Sequence, residues 1–161
     1  MEDIELIEYE KTDLSNSLLI VAFPTVGLIS SIAGHFIIDT LKLKEIGTII
    51  SKEFMPATVI HKGKPSPPVR IYAGEKKCGP GRKCEQVAVI ISEFMPPYNI
   101  VKPVADTILK WASEKGVKAI VSLEGTHAVG KEKKNMHVFG AGSNSEMVNF
   151  LKKHKIKKIR S

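Results

Sequence analysis

The chain has 161 residues, 43% hydrophobic and 25% charged. That balance supports one packed globular domain, leaves little room for a second, and excludes a disordered chain. The formal net charge is +7, but Lys152, Lys153, Lys155, Lys157, Lys158 and Arg160 place six cations in the last ten residues with no acid among them, so the body is nearly neutral. No aromatic side chain interleaves with those lysines to stack on bases, and the tail reads as a solvated helix end, not a nucleic-acid site. No apolar run approaches the ~18 residues of a membrane span. The opening Met-Glu-Asp-Ile-Glu is acidic where an export signal is basic, so a cytoplasmic protein is expected. Lysine, isoleucine and glutamate abound while glutamine occurs only at Gln86, a bias associated with thermophile proteins.

In chain order, 18–23 is a continuous apolar run of buried-strand type that stops at Pro24. Ile29, Ile32, Ala33, Phe36, Ile37 and Leu41 then recur at helical spacing, predicting an amphipathic helix over 26–42. Strands are predicted over 46–51, 58–61, 69–73 and 87–92. The segment 63–68, with three prolines, cannot join a central ladder and reads as a rigid loop or edge. A second helix shows Val101, Val104, Ala105, Ile108, Leu109 and Ala112 on one face, with Pro103 tolerable in its first turn and Gly116 as its stop. Strands over 118–123 and 136–139 follow. Ser143 and Glu146 form a capping box for a third helix carrying Met147, Phe150 and Leu151. The preceding Gly140-Ala141-Gly142 reads as a strand-to-helix turn or as an anion-binding helix entry. The alternation predicts an α/β fold with a mixed, mostly parallel sheet covered by helices on both faces.

Two strands end in the same letters, Glu53-Phe54-Met55-Pro56 and Glu93-Phe94-Met95-Pro96. Loops at the carboxyl ends of strands line the crevice of open α/β sheets, so the repeat marks an expected working edge. Glu53, Glu93 and Glu124 each follow a predicted strand. In parallel strands they would share that edge with His127 and the turn holding Thr25 and Gly27. Such carboxylates can bind a cation or ribose hydroxyls, or supply an acid–base pair; equally, they can accept hydrogen bonds from loop amides. His35, beside the apolar helix face, reads as packed. Cys78 and Cys84 flank five residues between two β-like runs, which predicts a hairpin tip; they can form a loop disulfide or remain free thiols. No nucleophile–base pair, phosphate loop or metal-ligand set of high specificity occurs, so no metal or cofactor is expected.

The stretch Ala22-Phe23-Pro24-Thr25-Val26-Gly27-Leu28 turns the chain from sheet into helix, and Gly27, Ser30, Ser31 and Gly34 keep that helix slender where it approaches its neighbour. Together with Lys52-Glu53-Phe54-Met55-Pro56, Pro67-Pro68-Val69-Arg70-Ile71-Tyr72-Ala73, Ser92-Glu93-Phe94, Trp111-Ala112-Ser113-Glu114 and Val121-Ser122-Leu123-Glu124-Gly125, it resembles the proteasome assembly chaperone family shared by archaea and eukaryotes. The resemblance runs in order over 18–125. It implies a three-layer α/β sandwich similar to purine nucleoside phosphorylases, a non-catalytic chaperone role, homo-oligomers, and proteasome α subunits as partners. Relatives that dock through a C-terminal tail have a penultimate tyrosine; this chain ends Ile159-Arg160-Ser161, so that docking mode does not carry over. Thr25 stands where relatives usually have glycine. Family members continue with further strands and helices, so a chain lacking C-terminal elements of its relatives is expected. Phe54, Met55, Phe94, Met95 and Tyr98 are the expected contributors to an oligomer interface. The alternative is a small-molecule enzyme of phosphorylase- or hydrolase-like fold using the carboxylates.

Overall fold

The computed structural model describes residues 4–61, 63–78, 84–127 and 138–159, without the side chains of 75–78 and 84–85. They fall into two compact units, 1–126 and 127–161.

The first unit is built on a six-stranded sheet. Its strands are β1 (Ile4–Glu8), β2 (Leu18–Ala22), β3 (Lys44–Ser51), β6 (Val69–Cys78), β7 (Cys84–Ser92) and β8 (Ala119–Ser122), in the order β1-β3-β6-β7-β2-β8. β2 pairs in parallel with β7 and β8; β1–β3, β3–β6 and β6–β7 are antiparallel. The sheet is therefore mixed. Antiparallel pairings outnumber parallel ones, yet β2, β3, β7 and β8 all run in one direction, so their carboxyl ends share one side. A separate short hairpin of β4 (Val59–His61) and β5 (Lys64–Ser66) absorbs the proline-rich segment at an edge, as its missing donors require.

The helices α1 (Ile29–Leu41) and α2 (Val101–Glu114) give the sheet its two outer layers. On one face, Leu19, Ile49, Val69, Ile71, Ala88 and Ile90 pack with Val104, Ile108, Trp111 and Ala112 of α2. On the other, Ile20, Ala22, Tyr72, Val89 and Ile91 pack with Ile38 of α1. β7 lies at the centre with both faces covered, which is why it reads as an unbroken apolar run. Each large aliphatic side chain buried there contributes roughly 2 kcal/mol. α2 starts with Pro103 in its first turn, where a missing N–H costs nothing, and ends with Gly116 at φ +67°. The Val117 N–H donates to the Ala112 carbonyl at 2.9 Å, completing the helix stop.

Two corrections concern the helices. The stripe Ile29, Ile32 and Phe36 does not face the sheet: all three are more than half exposed, and α1 buries Ser30, Gly34 and Ile38 instead. The reason is close approach. A Cβ on Gly34 would lie 2.8 Å from the Ala22 Cβ and 3.2 Å from the Ile91 Cδ1, so only the slender face fits. In α2, Leu109 and Val101 are exposed while Trp111 joins the buried face. β1, Ile4-Glu5-Leu6-Ile7-Glu8, is a strand beyond those predicted: only its burial alternates, with Ile4, Leu6 and Glu8 half-buried and Glu5 and Ile7 exposed, while its apolar residues do not.

The second unit pairs β9 (Phe139–Gly140) in parallel with β10 (Lys157–Lys158) around α3 (Ser145–Lys153). Its cap is Asn144, not Ser143: the Asn144 Oδ1 accepts the Met147 N–H at 2.9 Å. With that acceptor in place the turn at 140–143 serves as the capped helix entry. Of the strand predicted over 136–139, residues 136 and 137 lie outside the described residues, and Phe139 is in β9.

Candidate functional site at the carboxyl edge of the sheet

Pro24 ends β2, and the chain then makes a pinned turn before α1. The Thr25 Oγ1 lies 3.0 Å from the Ser30 Oγ, which donates to the Phe23 carbonyl. The Leu28 N–H donates to the Thr25 carbonyl at 2.9 Å. After β8, the Gly125 N–H donates to the Thr25 Oγ1 at 2.9 Å, tying two neighbouring strand ends together. Thr25 is extended, at φ −135° and ψ −174°, a region any residue adopts. Threonine therefore costs nothing here and supplies the hydroxyl that a glycine would lack. The left-handed positions are Gly27, at φ +72°, and Leu28, at φ +54°. Gly125 has no room for a side chain: a Cβ there would lie 1.9 Å from the Val26 carbonyl oxygen.

The repeated Glu-Phe-Met-Pro loops follow β3 and β7, with β6 between them. Phe94 is buried against the α2-side core and Phe54 is half-buried beside it. Their rings meet edge to face across β6. The next residue of each repeat turns outward, with Met55 56% and Met95 54% exposed, and Tyr98 is 97% exposed. The two repeats thus act alike: phenylalanine inward, methionine to the surface.

Three glutamates share this side of the sheet but do different things. Glu93 forms an ion pair with Arg70, which is 1% exposed. Arg70 also donates to the Pro67 carbonyl at 2.9 Å and to the Tyr72 hydroxyl at 3.1 Å. Tyr72 in turn donates to the Glu45 carboxylate at 3.2 Å. Burial raises the Tyr72 phenol above its usual range, opposed by Arg70 and reinforced by Glu45. The His35 Nε2 sits 3.6 Å from Glu93 with its side chain 45% exposed, so His35 faces this network instead of the core. Glu53 is exposed, its N–H bonded to the Ser51 Oγ. Glu124 is exposed and accepts from the Ser122 Oγ at 2.9 Å. At about 4.8 Å per strand, β3 and β8 lie roughly 19 Å apart, so the carboxylates form a row and not a cluster. Among the described residues no group of three His, Cys, Asp or Glu is placed to hold a metal ion. His127 lies in the second unit and is exposed.

Arg70 is the residue whose role the sequence hid. Its signal was a cation in the apolar strand Val69-Arg70-Ile71-Tyr72, which needs a counter-charge and hydrogen-bond partners where it is buried. Cys78 and Cys84 pair across the β6–β7 hairpin by backbone register; their side chains, and so the question of a disulfide, lie outside the described residues. No helix among the described residues is long and apolar enough to cross a membrane.

The PAC2 family profile matches residues 19–160. An uncharacterised protein of Methanocaldococcus jannaschii is 34% identical over 154 residues, covering 96% of this chain and 59% of its own length. The crystal structure of Pyrococcus furiosus PbaA, described as an archaeal homolog of proteasome-assembly chaperone, superposes with a TM-score of 0.81 at 25% identity, over 98% of this chain and 60% of that one. Pyrococcus furiosus PbaB, described as an archaeal proteasome activator, shares the fold with a TM-score of 0.74 at 19% identity, over 100% of this chain and 68% of that one. The chain spans about three fifths of the length of the first two relatives. The resemblance read from the motifs at 18–125 agrees with these matches in family and in fold. The chain belongs to the PAC2 family.

Proposed function

We propose that this protein is a chaperone-type binding protein that engages another polypeptide through the loops at the carboxyl edge of its sheet, with proteasome subunits as the partner class. The observation that carries the reading is the paired behaviour of the two Glu-Phe-Met-Pro loops. Their phenylalanines lock together, which fixes the loops, while Met55, Met95 and Tyr98 stand exposed on them. Methionine and aromatic side chains are enriched at interface cores, and a pre-ordered loop loses less entropy on binding than a free one. The description of PbaA as a homolog of proteasome-assembly chaperone supports the choice of partner. The spacing of Glu53, Glu93 and Glu124, and the engagement of Glu93 with Arg70, favour protein binding over carboxylate chemistry.

The test is co-elution of the purified chain with proteasome α subunits from its source. Replacing Met55 and Met95 together with lysine is expected to weaken binding at least about 30-fold, the loss of one or two interface anchors, with the far-ultraviolet circular dichroism unchanged. Co-elution that survives both replacements, or no co-elution by the parent chain, refutes the reading.

A further inference from the structure

The outward stripe of α1 is unlike an ordinary solvated helix face. Leu28, Ile29, Ile32 and Phe36 are 57%, 54%, 65% and 68% exposed. Together they present on the order of 500 Å² of apolar surface, at the upper end of what a monomer leaves open. Leu28 is held outward in a left-handed conformation, which costs a non-glycine residue about 1–2 kcal/mol. That turn is anchored from below by Thr25, Ser30 and Gly125.

The stripe is also self-complementary. Its exposed positions Ile29, Ile32, Phe36 and Asp39 are spaced 3, 4 and 3 residues apart, a pattern that reads the same in both directions. Two copies of α1 laid antiparallel about a two-fold axis between positions 32 and 36 bring Ile32 against Phe36 of the partner subunit. The same operation brings Ile29 against Asp39 of the partner subunit. The ends match in charge as well. The N-terminus of α1 has no side-chain cap and no acid in its first turn, while Asp39, about 15 Å along the helix, is exposed. In the antiparallel pair each Asp39 carboxylate meets the uncapped, positive helix end of the other copy. A parallel pair would instead set the two Asp39 carboxylates against each other and leave both N-termini bare.

We infer that α1 is a self-association surface, on which a second copy of this chain packs its own α1 antiparallel, Ile32 on Phe36, with Asp39 capping the partner helix. The four apolar side chains supply on the order of 500 Å² of the ~800 Å² per partner that a standard interface buries. This interface lies on a different element from the Met55 and Met95 loops and does not depend on their role. A protein with both surfaces presents two edge sites to its partner.

The experiment is sedimentation velocity on the full chain across the micromolar range. The parent chain is expected to dimerise or to assemble further. Ile32→Glu and Phe36→Glu should each weaken the association at least about 100-fold, since each sets a charge in the apolar centre. Asp39→Asn removes both symmetry-related helix-end interactions and should weaken it about tenfold. If Ile32→Glu fails to fold by circular dichroism, Ile32→Ser removes the same apolar contact without a charge and must still weaken association. A monomeric parent chain, a folded Ile32 variant with undiminished association, or an oligomer dissociated only by Met55 and Met95 replacements overturns the proposal. An unaltered Asp39→Asn overturns the antiparallel pairing.

Discussion

The rings of Phe54 and Phe94 meet edge to face, with centroids 5.2 Å apart and planes inclined at 76°. They come from equivalent positions of a repeated tetrapeptide, on loops whose strands are separated by β6. The pair therefore fastens two loops that the backbone ladder does not join directly. Edge-to-face aromatic pairs add about 0.5–1.5 kcal/mol beyond simple burial.

A double-mutant cycle should show this coupling. Phe94→Ala, at a buried site, is expected to cost about 3–5 kcal/mol, and the half-buried Phe54→Ala about 1–2 kcal/mol less than that. The double variant should be less destabilised than the sum by about 1 kcal/mol. Urea denaturation of the four proteins measures each value; strict additivity would show that the rings share a core without interacting.

The glutamates of the edge separate by what they touch. Glu93 neutralises the buried Arg70 while its own side chain is 33% exposed, so the pair is part-buried and removal of the carboxylate is expected to cost about 1–3 kcal/mol. Glu93→Ala should fall in that range. Glu124→Ala, at an exposed carboxylate bonded to the neighbouring Ser122 hydroxyl, should stay within about 0.5 kcal/mol of the parent. Equal effects on thermal denaturation would remove the distinction. An effect of Glu93 replacement on partner binding is interpretable only after its stability loss is known.

Alkaline pH should loosen the Arg70–Tyr72–Glu45 network. Burial, with the Glu45 carboxylate adding to it, raises the Tyr72 phenol from its ordinary value of 10.0, and Arg70 offsets this in part. A raised folded-state value means that the folded protein holds the proton more tightly than the unfolded chain. The stabilisation is fully present below the unfolded value and is lost as pH rises through the folded one. Stability measured from pH 9 upward should therefore fall less steeply in Tyr72→Phe than in the parent. Tyr9, raised chiefly by burial and then by Glu45, acts in the same sense, so Tyr9→Phe should flatten the curve further. Identical slopes in parent and variants would refute the assignment.

Sequence alone determined most of the elements, the α/β class and the side of the sheet that carries the loops after β3, β7 and β8, because these follow from local rules. Apolar runs such as 87–92 have no solvated face and must be central strands. Pro24, Pro56 and Pro96 stop ladders wherever they fall, and a shared strand direction carries the following loops to one side. The slender face of α1 was legible too, in Ser30 and Gly34. Which face of α1 turns inward was not, because it depends on what the sheet offers. Opposite Gly34 stand Ala22 and Ile91, and their height admits a backbone but not the side chains of Ile32 or Phe36. In the same way the three glutamates look alike along the chain, each one step beyond a strand. Only the tertiary structure sets Arg70 beside one of them and buries that cation, so that Glu93, itself one third exposed, is tied to the framework by an ion pair while Glu53 and Glu124 are not. Periodicity reports how many faces a segment has; long-range packing decides which of them meets water.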